Sequence, residues 1–286
     1  MKRLVQQSML GLGLCLFLLA GCAGGNRKQG EEKTAESSVM KVDNGLKTVQ
    51  VGDISVTWIQ DNAEEKLMPV SLFPDASPEL IDSLSLQAGI PSTISAFLVE
   101  TDSLQILFDT GLGAENSQLQ VHLKQLGISP EDIQYIYLTH FHGDHIGGML
   151  QNDSVVFPNA QIYASKKEYE GWMKMPEDKK AQVVRTMEAY KDRLHLFDFG
   201  ETLPGDVMTC DACGHTPGHT VYQIGTLLIM GDLIHGAALQ IPHPEICATY
   251  DMDKEAAIKA RKQYLQEADE NQFVMAGMHL PAPAFK

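Results

Sequence analysis

Apolar and polar positions settle into a steady rhythm from about residue 46 onward. VQVGDISVTWIQ (49–60) alternates as a half-exposed strand does, because successive side chains of an extended chain point to opposite faces. ISAFLVE and LQILFDT flank Thr101-Asp102-Ser103 as the two arms of a hairpin would. QLQVHLKQLG carries a helical period closed by Gly127, and Pro130 opens the next turn. IQYIYLTH is a continuous apolar run of β-branched and aromatic residues, the pattern of a central strand covered on both faces. Further along, EDKKAQVVRTMEAYKDRL predicts a helix, and HLFDFG, DVMTCDACGH, TVYQIG and TLLIMGD predict successive strands. A last helix is expected from about Lys254 to Ala268 with Asp253 as its N-cap, followed by the strand FVMAGMH. Strands in layers with helices outside them predict an α/β protein built from two sheets packed face to face and covered on both sides.

The residues before this rhythm read differently. Lys2 and Arg3 precede an apolar run, Met9 to Ala20, that is too short to span a bilayer comfortably and has the form of an export signal. It closes on Leu19-Ala20-Gly21-Cys22, which resembles the bacterial lipoprotein lipobox. That resemblance implies removal of residues 1–21 and attachment of a diacylglycerol to the Cys22 thiol. More than one acyl chain gives stable membrane anchoring without a spanning helix. Ala23 rather than Asp after the cysteine favours the outer membrane within the cell envelope. Residues 22–45 are rich in Gly, Asn, Lys, Gln, Glu and Ser and nearly free of apolar side chains, so they predict a tether. Residues 46–286 are then the folded domain.

Composition narrows the function. At 286 residues with 44% hydrophobic content the chain fills a substantial core. A formal net charge of -15, with no cluster of Lys and Arg, excludes a nucleic-acid partner. Cys210 and Cys213 form a C-x-x-C, but a strand running through them would hold residues three apart at roughly 10 Å, beyond disulfide reach. Cys247 is expected as a small buried residue.

LTHFHGDHIGG (138–148) then stands out, with three histidines and an aspartate inside six residues at the end of the expected central strand. Imidazole and carboxylate groups buried without partners cost several kcal/mol each, roughly, so this loop must hold something. His140, His142, Asp144 and His145 are joined downstream by His219 in GHTPGHT, Asp232 in IMGDLIHG and His279 in AGMHLP. Each of these follows a predicted strand beside a glycine that lets the backbone turn. Nitrogen and carboxylate donors suit Zn²⁺ and similar divalent ions, and seven of them suit two ions better than one. The expected division is His140, His142 and His219 on one ion, Asp144, His145 and His279 on the other, and Asp232 between them.

Taken in order, THFHGDHIGG, GHTPGHT, GD and MH resemble the metallo-β-lactamase superfamily, over roughly Val49 to His279. The resemblance implies an αββα sandwich with a dinuclear centre, of zinc or a similar divalent ion, at the edge of the two sheets. It also implies that Asp109 in LFDTG orients metal-bound histidines without binding metal itself. Such a site would supply a water activated near neutral pH as the nucleophile, with Asp144 or water beside it expected to protonate the leaving group and Asp232 expected to serve both ions. Asp232 speaks against a true β-lactamase. The segment GDLIHGAALQIPHPEICATYDMDKEAAIKARKQYL with AGMHLPAPAF resembles the subgroup of methyl parathion hydrolase and related lactonases, which implies a small neutral ester, lactone or phosphotriester as substrate. That subgroup continues into another strand where this sequence stops at Lys286. His235 is a candidate for the pocket wall, His215 for a supporting or structural role, and Trp172 and MPVSLFPD (68–75) for an apolar wall. Competing readings are a mononuclear iron oxygenase of the same fold and a metal-dependent binding module without catalysis.

Overall fold

The computed structural model describes residues 45–101 and 103–286. The expected signal, Cys22 and almost all of the expected tether lie outside the described residues. Among the described residues no helix is long and apolar enough to cross a membrane.

Twelve strands build two sheets. The first takes β1 (Leu46–Val51), β2 (Ile54–Gln60), β3 (Ser95–Glu100), β4 (Gln105–Phe108), β5 (Tyr135–Tyr137), β6 (Gln161–Ser165) and β7 (Leu194–Phe197) side by side in chain order. β1 through β4 pair antiparallel, and β4 through β7 pair parallel. The second sheet takes β8 (Thr202–Leu203), β9 (Val207–Asp211), β10 (Thr220–Ile224), β11 (Leu227–Ile229) and β12 (Val274–Ala276), again in chain order, and only β11 and β12 run parallel.

The helices in chain order are α1 (Pro78–Ser83), α2 (Leu119–Gln125), α3 (Gly143–Ile146), α4 (Lys166–Met173), α5 (Glu177–Ala189), α6 (Ala237–Gln240) and α7 (Lys254–Asn271). α7 begins where the sequence predicts, with the Asp253 carboxylate accepting the Ala256 N–H, and runs three residues past the expected end.

Alternation along the central strands explains the sandwich. On β3, Phe97 and Val99 point into the core between the sheets, whereas Ala96 and Leu98 point to the outer face. The inner core joins Val56, Trp58, Phe108 and Tyr137 to Val221, Tyr222, Leu228 and Met275 of the second sheet. Outside the first sheet, Leu98, Ile136 and Ile162 meet Leu123 of α2, Trp172 of α4 and Val183 and Met187 of α5. Ala260, Tyr264 and Ala268 of α7 cover the second sheet. The layers are therefore α, β, β, α, the expected α/β sandwich.

Cys210 is the only member of C-x-x-C inside a strand, since β9 ends at Asp211. Both cysteines are free, and Cys247 is buried.

Candidate metal centre

Strand ends and the loops after them supply the chemistry. β5 runs into His140 and His142, and His142 caps α3, which carries Asp144 and His145. The loop from β9 to β10 carries His215 and His219, β11 leads to Asp232, and β12 leads to His279. The parallel pairing of β11 with β12 brings the last two to the same edge.

Six of the seven expected residues converge, and His215 joins them. His140, His142, His215 and Asp232 form one group of mutually close donor atoms, and Asp144, His145 and His279 form another. His142 Nδ1 lies 3.0 Å from both His140 Nε2 and His215 Nε2. Asp232 reaches both groups: Oδ2 is 3.4 Å from His215 Nε2 and 3.1 Å from His279 Nε2, and Oδ1 is 3.2 Å from His145 Nε2. Asp144 closes the second group at 3.4 Å from His279 and 3.7 Å from His145.

His219 departs from expectation. Its Nε2 accepts the Asp232 N–H at 2.9 Å, which leaves Nδ1–H to donate to the Ala212 carbonyl at 3.2 Å. Both ring nitrogens are spent on backbone, so His219 holds Asp232 in place while His215 turns Nε2 inward. Gly231 permits this approach: its φ of +53° suits glycine, and a Cβ there would sit 2.5 Å from His219 Nε2.

The outer nitrogens of the remaining histidines decide what the centre is built for. His145 Nδ1–H donates to Asp109 at 2.7 Å, His215 Nδ1–H to Asp251 at 3.0 Å and His279 Nδ1–H to the Thr93 carbonyl at 2.7 Å. Thr139 spends its hydroxyl proton on Asp109, so its oxygen accepts from His140 Nδ1–H at 3.0 Å. Each of these rings thus turns its Nε2 toward the shared centre, and buried His145 Nε2 and Asp232 Oδ1, 3.2 Å apart, make no well-aligned hydrogen bond. Lone pairs converging in a buried space call for cations, and histidines anchored through the opposite nitrogen are the usual arrangement around a metal. Asp109 Oδ1 also accepts the Thr139 N–H at 2.8 Å.

Proton affinities reflect the same competition. Burial holds His140 well below the ordinary imidazole range and lowers His142 and His215 to about 4 and His219 to about 3. Burial opposes charge on His279 and His145 as well, but Asp232 and Asp144 raise His279 to about 9, and Asp232, Asp109 and Asp144 hold His145 well above its usual value. Burial works to raise Asp144 and Asp232, yet the surrounding histidines keep both carboxylates far below their usual range.

Above this floor lies a cavity of about 350 Å³, walled by Met68, Pro69 and Leu72 and bounded by Tyr250 and His235. The loop 68–75 thus contributes the expected apolar wall. Trp172 does not line the cavity; it packs in the outer core, T-shaped against His142 with ring centroids 5.6 Å apart.

The metallo-beta-lactamase superfamily model matches residues 89–270, which include every residue of the centre except His279. The chain belongs to the metallo-beta-lactamase superfamily. Among relatives, the uncharacterized protein YobT of Bacillus subtilis is 28% identical over 67% of this chain and 86% of its own length. An N-acyl homoserine lactonase from a Bacillus species is 30% identical over 46% of this chain, and the match spans 57% of that enzyme. The solved structure of AidC, a dizinc quorum-quenching lactonase, superposes with a TM-score of 0.78 at 28% identity, covering 85% of this chain and 94% of AidC. The hydrolase AbOPH superposes with a TM-score of 0.76, also at 28% identity, covering 86% and 93% of the two chains. Within this superfamily, clusters of His and Asp donors at a sheet edge make the chain a metal-dependent hydrolase that takes divalent ions.

Proposed function

We propose that the protein is a dinuclear hydrolase of neutral esters or lactones, with zinc as the metal that its donor set suits. The observation that carries this is the pair of donor groups sharing Asp232, with anchored histidines aiming lone pairs inward beneath an apolar-walled cavity. His140, His142 and His215 would hold one ion, Asp144, His145 and His279 the other, and Asp232 both. When bound, two such ions supply an activated water and polarise the scissile carbonyl.

The protein's own groups do the rest. Met68, Pro69 and Leu72 exclude water and seat an uncharged substrate. Asp144, on the cavity floor, accepts the proton shed by the attacking water and returns it to the leaving oxygen. The matches to N-acyl homoserine lactonases and the likeness of residues 231–265 to the methyl parathion hydrolase subgroup support lactones and activated esters as the substrate class. A mononuclear oxygenase would leave Asp144, His145 and His279 idle.

The test is a panel of lactones, aryl esters and phosphotriesters offered to the full chain before and after chelation. The expected result is turnover of a lactone or ester that disappears on chelation and returns with Zn²⁺; a protein that carries two ions and turns over none of the panel would overturn the reading. The proposed setting is the cell envelope, with Cys22 acylated; metabolic labelling with a fatty acid, lost in Cys22→Ser, tests it.

A further inference from the structure

We propose that Glu168, a carboxylate outside both donor groups, is the positioning residue that sets the spacing between His142 and His215. The proposal rests on the dinuclear reading above and names what holds one of its two donor groups in shape. Glu168 lies on α4 with 1% of its surface exposed. One oxygen accepts the Phe141 N–H at 3.0 Å and the Trp172 indole N–H at 2.6 Å. The other accepts the Thr216 hydroxyl at 2.8 Å and the Gly218 N–H at 2.7 Å.

Those partners mark two separate loops. Phe141 sits between His140 and His142, while Thr216 follows His215 directly. One carboxylate therefore ties the β5 loop to the β9–β10 loop. The tie matters most for the 3.0 Å separation of His142 Nδ1 from His215 Nε2, whose members come one from each loop. Trp172, fixed by the same carboxylate, adds its ring edge against His142. Slack is small: a Cβ on Gly218 would fall 2.1 Å from the Glu168 amide nitrogen, and one on Gly171 would fall 2.5 Å from Pro217 Cβ.

Three N–H groups and one hydroxyl surround Glu168, a set that suits a carboxylate better than a carboxyl group. Burial nevertheless pushes it up to about 7 against those donors.

Glu168→Gln keeps the shape but, in either orientation of the amide, turns its NH₂ toward at least one N–H that can only donate. In the full chain, competition with a chromophoric chelator should show one of two zinc ions weakened about 10- to 100-fold, the scale for partners that orient metal-bound groups. The ion on Asp144, His145 and His279 should keep its affinity, and Co²⁺ bound at the weakened site should change its visible absorption. Thr216→Val and Trp172→Phe each remove one donor and should weaken the same ion by less; they decide the matter if Glu168→Gln does not fold. Variants that fold and bind both ions as the unaltered protein does, or that weaken both ions equally along with thermal stability, would overturn the proposal. An unaltered protein that binds two ions but hydrolyses nothing would sink the hydrolase reading and leave this one intact.

Discussion

The backbone N–H of Asp232 donates to His219 Nε2 at 2.9 Å, which makes His219 a support for the shared carboxylate. His215→Ala should therefore reduce bound zinc from about two ions per chain to about one, as loss of a ligand does. His219→Gln should retain both ions and weaken them by about 10- to 100-fold, the usual effect of removing an outer partner. Metal analysis by mass spectrometry separates the two outcomes, and equal zinc content in both variants would return His219 to the ligand set.

Asp144→Asn should slow substrates with poor leaving groups by about a hundredfold or more, because such substrates need a proton delivered to the departing oxygen. Substrates with activated leaving groups should be slowed less. Rates across a series of aryl esters of graded leaving-group pKa measure this, and a uniform loss would remove the proton-transfer role.

Metal binding should release protons and weaken as pH falls. His279 is raised to about 9 and His145 lies well above its ordinary value, so below pH 9 the metal-free protein carries protons on nitrogens that must give up their lone pairs. Each displaced proton lowers affinity about tenfold per pH unit below that value. Titration of zinc into the metal-free protein in buffers of differing ionisation enthalpy gives the count, and an unchanged heat across buffers would contradict it.

Arg261→Met should destabilise the fold by about 3–5 kcal/mol, since it strands a buried carboxylate. Arg261 on α7 pairs with Asp251 at 2.9 Å and donates to the Leu233, Pro244 and Ile246 carbonyls. Asp251 in turn holds His215, so zinc affinity should fall as well. Urea unfolding with and without zinc reads both effects, and a midpoint unchanged from the parent protein would show that the pair contributes little.

Much of this was legible in the pattern of residues. Uninterrupted apolar runs marked β5 and β11, and His-x-His-x-Asp-His at the end of β5 announced a ligand loop. Other features were not legible, for reasons of geometry. GHTPGHT offers two histidines four residues apart, and nothing linear tells which one faces inward; the conformation of the loop at Gly214 to Gly218 and the N–H of Asp232 decide it. Glu168 escaped notice because a glutamate in a polar helix looks solvated. A signal was present: Glu168 and Trp172 are four apart, hence on one face of α4, and that face is buried. His235 shows the opposite case, a suspected wall residue that lines the cavity, its Nε2 3.3 Å from Asp232 Oδ2.

Donors on the two halves of the sandwich have a consequence for how the protein matures. His140 through His145 extend from the first sheet, whereas His215, Asp232 and His279 extend from the second, and His279 follows α7 near the end of the sequence. A nascent chain emerging from the ribosome offers only the early histidines, so cation capture is a finishing event that waits for both halves to close. Ions held by donors from both sheets would act as a clasp across the seam, and by binding the closed form more tightly they would shift the folding balance toward it.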